Sequence, residues 1–269
     1  KYPLVDSHYL QLEILESSAL GDLNAISTIM ETCQGALGVS VALDDFGTGY
    51  SSLTHLRNLP AQTIKIDQSF IRDMLDDPSD YAIIDGVIGL ANAFNREVIA
   101  EGVETTAHGL MLLMMGCEEA QGYGIAKPMP ADKLPLWTKS YTPNKDWQLC
   151  GNQQRTIKEK RVKLFRLVTE KWKDTFIKKV LSSSEDIGKW PIINSKHCHC
   201  GTWIQRTKQE QLFSQEGLEQ LEQAHEEVHC GTQAIQLKYQ QGDIEAARAD
   251  LGELELLFDN MSNAVGQCE

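Results

Sequence analysis

Long apolar runs are missing from this sequence: none reaches the roughly 20 residues that a bilayer-spanning helix requires. The opening residues also lack the charged-then-apolar pattern of a signal peptide. Both absences point to a cytoplasmic protein, although a start inside a domain leaves room for an upstream segment. Basic residues are in short supply, with 25 Lys and Arg against 38 Asp and Glu and a net charge of -13. That deficit argues against duplex nucleic acid as a partner, because phosphate backbones recruit basic surface. A small anionic ligand stays compatible, since bound cations can invert a local field. Seven cysteines occur, but a reducing compartment argues against disulfides. Cys33 and Cys117 fall in helix-like segments and read as small buried hydrophobes. At 269 residues and 42% hydrophobic content, two modest domains with packed cores are expected.

What is present is a repeated grammar of short strands that end in polar groups. The plainest case is Val39–Leu53, where a β-branched apolar run stops at two adjacent carboxylates, Asp44 and Asp45, before a loop with Gly47 and Gly49. Adjacent like charges cost stability unless a cation neutralises them. Leu10–Glu16 is a strand carrying two acids, Glu13 and Glu16. Thr63–Asp67 carries Lys65, Val98–Gly102 ends at Glu101, and Glu119–Gly124 holds Gln121. Taken singly each has a bland reading: a solvated Asp-Asp turn, an edge-strand lysine, a strand-to-helix Glu-Gly turn. In order, and separated by helix-like sequence, they describe a parallel β/α barrel whose strand ends converge on one face.

Leu12-Glu13-Ile14-Leu15-Glu16-Ser17, Asp44-Asp45-Phe46-Gly47-Thr48-Gly49-Tyr50-Ser51-Ser52-Leu53, Ile64-Lys65-Ile66-Asp67, Ala100-Glu101-Gly102-Val103-Glu104 and Gln121-Gly122-Tyr123 together resemble the EAL family of bacterial cyclic-di-GMP phosphodiesterases, over roughly residues 1–137. The resemblance implies a two-metal Mg²⁺ or Mn²⁺ site, with carboxylates as ligands. Glu13, Asp44 and Asp45 would be ligands, Asp45 shared between the metals, and Glu101 a further ligand or the base for the attacking water. Lys65 would position that water or offset phosphate charge, Gln121 would hold the solvent network, and Glu16 would fix the loop Phe46–Leu53 next to a dimer partner. The family's Glu-Ala-Leu signature, its substrate-gripping Arg and the Asn on the next strand are absent from the sequence. About three strands of an eight-stranded barrel are therefore expected to be missing, and this chain alone is expected to be inactive.

The first domain is read as residues 1–138 and a linker as 139–155, on the strength of Pro143, Gly151 and several polar residues. The remainder, 156–269, reads as all-α, an antiparallel four-helix bundle. Its first helix, Arg155–Leu181, places Val162, Phe165, Val168, Trp172, Phe176 and Val180 at three- and four-residue steps. Glu159, Glu170 and Asp174 interrupt its basic face, which is read as solvated. Ser182–Ser195 breaks the helix; runs over about Gln211–Gln240 and Asp243–Ala264 follow, with Gly242-Asp243 as turn and N-cap.

His225 and His229 lie four residues apart on one helical face, and Cys198 offers a thiolate; two nitrogens and one sulfur are a natural zinc set. Lys196–Trp203 and Ala224–His229 look like the CZB family, the zinc-binding bundle of bacterial chemoreceptors and cyclic-di-GMP enzymes. That resemblance implies Cys198, His225 and His229 as three of four ligands. A His is expected three residues before Trp172, where Thr169 stands. Glu170, His197, His199, Cys200, Cys230 or water are the open alternatives. The leading functional reading is a cyclic-di-GMP phosphodiesterase regulated by zinc or oxidant. The alternatives are a non-catalytic cyclic-di-GMP receptor and a zinc-sensing module.

Overall fold

The computed structural model describes residues 6–19, 23–49, 53–153, 155–182 and 190–268. Tyr50, Ser51 and Ser52 of the Asp-Asp loop lie outside them, as do 183–189 of the expected helix break. The chain divides into two units. One comprises residues 1–74 and 79–153, and the other comprises 154–269 together with Leu75–Pro78.

Unit one is a five-stranded, all-parallel sheet in sequential order: β1 (Gln11–Leu15), β2 (Ser40–Phe46), β3 (Thr63–Ile66), β4 (Glu97–Ala100) and β5 (Glu119–Ala120). Every connection between strands is helical. The helices are α1 (Glu16–Ala19), α2 (Leu23–Leu37), α3 (Leu53–Asn58), α4 (Gln68–Asp73), α5 (Pro78–Ala93) and α6 (Thr106–Met115). Strands buried on both faces read as continuous apolar runs, and all four residues of β3 are buried, Lys65 included. Val41, Ala42, Leu43, Ile64, Ile66 and Ala100 make the centre of this core.

The β2–β3 register shifts between Leu43 and Phe46. Asp45 sits inside that irregularity with φ 53°, a left-handed conformation that Asp tolerates better than most residues. The bulge turns the Asp44-Asp45 pair where a regular strand would separate the two side chains to opposite faces. Gly47 follows at φ 103°, and a Cβ there would come within 2.8 Å of the Phe70 ring, so both backbone and packing require glycine.

The stretch expected as a linker is more ordered than its composition implies. It holds part of α7 (Leu134–Ser140) and all of α8 (Lys145–Asn152). Asn144 caps α8 by accepting from Asp146 and Trp147 N–H, and its own amide donates to Thr106 Oγ1 at 2.9 Å. Trp147 Nε1 donates to the Thr106 carbonyl at 2.9 Å. An N-cap and a half-buried indole thus tie these residues to α6, and unit one continues to residue 153.

Unit two is all-α: α9 (Ile157–Leu181), α10 (His199–Glu210), α11 (Gln215–Gln240), α12 (Ile244–Ala249) and α13 (Leu251–Gln267). A capping box of Thr156 and Glu159 opens α9. Its apolar stripe buries Val162, Phe165, Val168, Phe176 and Val180, while Trp172 stacks on Phe176 and donates to the Ile192 carbonyl. Asp243 caps α12 after Gly242 at φ 87°. The expected run Asp243–Ala264 is two helices that meet at Asp250. Helix α10 falls where the sequence shows no periodic run; it begins on Cys198, whose sulfur accepts from Gly201 N–H. Among the described residues no helix is long and apolar enough to cross a membrane.

Candidate metal and phosphodiester site

The C-terminal ends of the parallel strands bring Glu13, Asp44, Lys65 and Glu101 together. Lys65 Nζ lies 2.8 Å from Glu13 Oε1, 2.8 Å from Asp44 Oδ1 and 2.6 Å from Glu101 Oε1. Its side chain is 5% exposed, so this ammonium is held by three carboxylates with little help from water. Burial alone would favour the neutral amine. Hydrogen bonds to Asp44, Glu101 and Glu13 outweigh that cost and raise the Lys65 pKa.

One ammonium does not balance the acids around it. Carboxylate oxygens of Asp44, Asp45 and Glu101 all lie within 4.8 Å of one another. Burial, then the charges of Asp44 and Asp67, push the Asp45 carboxyl up from its ordinary value. Burial likewise raises Glu101 against the opposing pull of Lys65. Neighbouring carboxylates add to the effect of burial in both, and a hard divalent cation with oxygen ligands suits three acids held this close. The donor set therefore fits Mg²⁺ or Mn²⁺.

Gln121 reaches the same centre through a hydrogen bond from its amide to Glu101 Oε1. Glu16, 2% exposed, accepts from the N–H groups of Gly47 and Gly49 at 2.9 and 3.0 Å. It thus ties the first turn of the Asp-Asp loop to the end of β1. Beside the carboxylates opens a cavity of about 540 Å³ lined by Gln68, Glu101, Glu104, Gln121 and Tyr123 among others. Sequence reading gave Asp67 no role. It caps α4, accepting from Ser69 N–H at 2.9 Å, and its side chain meets that of Asp45. The signal was available in its position two residues past Lys65, at the same strand end.

In unit two, Cys198 Sγ lies 3.1 Å from His225 Nε2, which lies 3.1 Å from His229 Nε2. All three side chains are buried, and their donor atoms fall within 4.8 Å of one another. The Nδ1 of His229 has no hydrogen-bond partner among the described residues, and the Trp172 ring stands edge-on to its imidazole. Two imidazole nitrogens facing each other beside a sulfur satisfy few hydrogen bonds, whereas a shared cation would use all three lone pairs. The set fits zinc. Thr169 does not join it; its hydroxyl lies 3.2 Å from Cys200 Sγ.

Residues 2–128 match the family model of the EAL domain. Over 134 residues the chain is 42% identical to the bifunctional diguanylate cyclase/cyclic di-GMP phosphodiesterase MucR of Pseudomonas aeruginosa, covering 50% of this chain and 19% of that protein. It is 42% identical over 133 residues to the cyclic di-GMP phosphodiesterase PdeR of Escherichia coli, covering 49% and 20%. Among solved structures, the EAL domain of Mycobacterium smegmatis DcpA matches at 42% identity and a TM-score of 0.47, over 51% of this chain and 61% of that one. The chain spans about a fifth of the length of these curated relatives. From the ordered strand-end residues and the stretch they occupy, the family that residues 2–128 match is that of the EAL domain.

Proposed function

We propose that unit one belongs to a metal-dependent phosphodiesterase that hydrolyses cyclic di-GMP to linear pGpG, and that its sheet is part of a (β/α)8 barrel. The observation that carries this reading is the crowding of Asp44, Asp45 and Glu101 within 4.8 Å, around one buried lysine that cannot neutralise them. Glu13, Asp44, Asp45 and Glu101 would hold Mg²⁺ or Mn²⁺. When bound, such ions neutralise the phosphodiester and acidify a water. Lys65 bonds Glu13, Asp44 and Glu101 and would position the attacking water or offset phosphate charge. Glu101, with its raised pKa, receives a proton more readily than an ordinary glutamate, and Gln121 fixes its orientation. Glu16 holds the loop after β2, where a second copy of the chain would pack in a homodimer. The test is chromatographic detection of pGpG in a protein that carries this sheet together with the Glu-Ala-Leu, Arg and Asn strands of the family. Turnover with Mg²⁺ or Mn²⁺, abolished by Asp45→Asn, is expected; turnover that survives Asp45→Asn would refute the two-metal reading.

The second unit, read as an antiparallel four-helix bundle over residues 156–269, would bind zinc through Cys198, His225 and His229 and adjust the phosphodiesterase to zinc or oxidant in the cytoplasm. Its support is the convergence of one sulfur and two Nε2 atoms in a buried site. Competition against a chromogenic chelator tests it: Cys198→Ala is expected to lose zinc, and unchanged affinity would assign the metal elsewhere.

A further inference from the structure

Three ligands leave a structural zinc site open at its fourth corner, and the side chains around Cys198 point to what closes it. His225 Nε2 lies 3.1 Å from the Cys198 sulfur, and Cys200 stands two residues on, at the second residue of α10. The Cys200 sulfur is not one of the three donor atoms that fall within 4.8 Å of one another. It is buried and is bonded to Thr169. Thr169 occupies the position three residues before Trp172 where a ligating histidine was expected. The residue that fails as a ligand therefore touches a residue that can serve as one.

We propose that Cys200 is the fourth zinc ligand, turning from Thr169 toward the metal and completing a Cys198–Cys200–His225–His229 site. This rests on the zinc reading above. Two thiolates and two neutral imidazoles give Zn²⁺ a shell of zero net charge. One thiolate and a water would leave a net positive charge among buried side chains, which is costly. Both cysteines lie at the N-terminal end of a twelve-residue helix, Cys198 as its N-cap and Cys200 as its second residue. Gly201, next after Cys200, lets the first turn of α10 close on the preceding segment, because a Cβ there would lie 1.8 Å from the Ser195 carbonyl oxygen. The other candidates are placed worse. Cys230 and His197 are exposed, and Glu170 is 67% exposed.

Zinc K-edge X-ray absorption of the 269-residue chain loaded with one equivalent of Zn²⁺ decides the question. The expected first shell is two sulfurs at about 2.3 Å and two nitrogens at about 2.0–2.1 Å. Cys200→Ser is expected to leave one sulfur and weaken binding by more than about tenfold, since even outer-sphere partners are worth that much. Thr169→His should recover that loss in the Cys200→Ser background and gain little in the parent chain. A single sulfur in the parent chain, or a shell unchanged by Cys200→Ser, would overturn the assignment while leaving zinc binding intact. No bound zinc at all would overturn both this inference and the zinc reading beneath it.

Discussion

Asp45 combines a left-handed backbone, a bulge and a crowded carboxylate, so its substitution separates charge from geometry. Asn adopts the left-handed region as readily as Asp, and Asp45→Asn should therefore keep the fold. In the absence of metal it should raise the melting temperature at pH 7. The sign follows from the raised carboxyl pKa: between the ordinary value, 3.8, and the raised one the native state binds more protons than the unfolded state, so stability increases as pH falls through that interval and the full penalty stands above it. The gain from Asp45→Asn should accordingly shrink as the pH drops toward the ordinary carboxylate value, 3.8. Differential scanning fluorimetry in chelator reads both; a lower melting point for the variant at pH 7 would contradict the crowding. With metal and the complete barrel, the same variant should lose about 10²-fold or more in turnover.

At the scale of elements, the loop after β2 depends on Glu16. Glu16→Ala removes the shared acceptor of Gly47 and Gly49 N–H. Leaving hydrogen-bond donors to a buried charge unmatched costs about 1.5–3 kcal/mol. Urea unfolding should show that loss, and hydrogen exchange at these two amides should speed up; unchanged exchange would mean the loop is held otherwise. In the helical unit, Thr156→Ala should cost about 1 kcal/mol by removing half of the capping box, read as a lower urea midpoint.

The strands and their polar ends were legible because β-branched runs ended abruptly at Asp44 and Glu101. Helix α9 was legible from its apolar stripe. Helix α10 was not, because its N-cap is a cysteine sulfur and its first turn contains Cys200, Gly201 and Thr202, which read as loop. Helix α8 was hidden by Pro143 and Gly151, and the packing of Trp147 on α6 decided it. The bulge that sets Asp44 and Asp45 had no sequence signal beyond the acids themselves. The meeting of Thr169 with Cys200, 31 residues apart, is a tertiary contact that spacing cannot reveal.

For the whole molecule, a net charge of -13 and an acid cluster make bound cations central to the account. Zinc that binds only the folded state would add stability with concentration, about 4 kcal/mol at a thousandfold excess over Kd. A zinc-selective chelator should thus lower one melting transition of the parent chain and leave Cys198→Ala unmoved. Two units make a single two-state fit inappropriate, so transitions are to be followed separately.

If the carboxylates at the strand ends form a divalent-cation site, Mn²⁺ binds the chain, and the loss of the free-ion electron paramagnetic resonance signal measures it. Saturable binding is expected, which Asp45→Asn and Glu101→Gln each weaken sharply and Cys198→Ala leaves unchanged. Equal Mn²⁺ binding by the parent chain and by Asp45→Asn would contradict such a site.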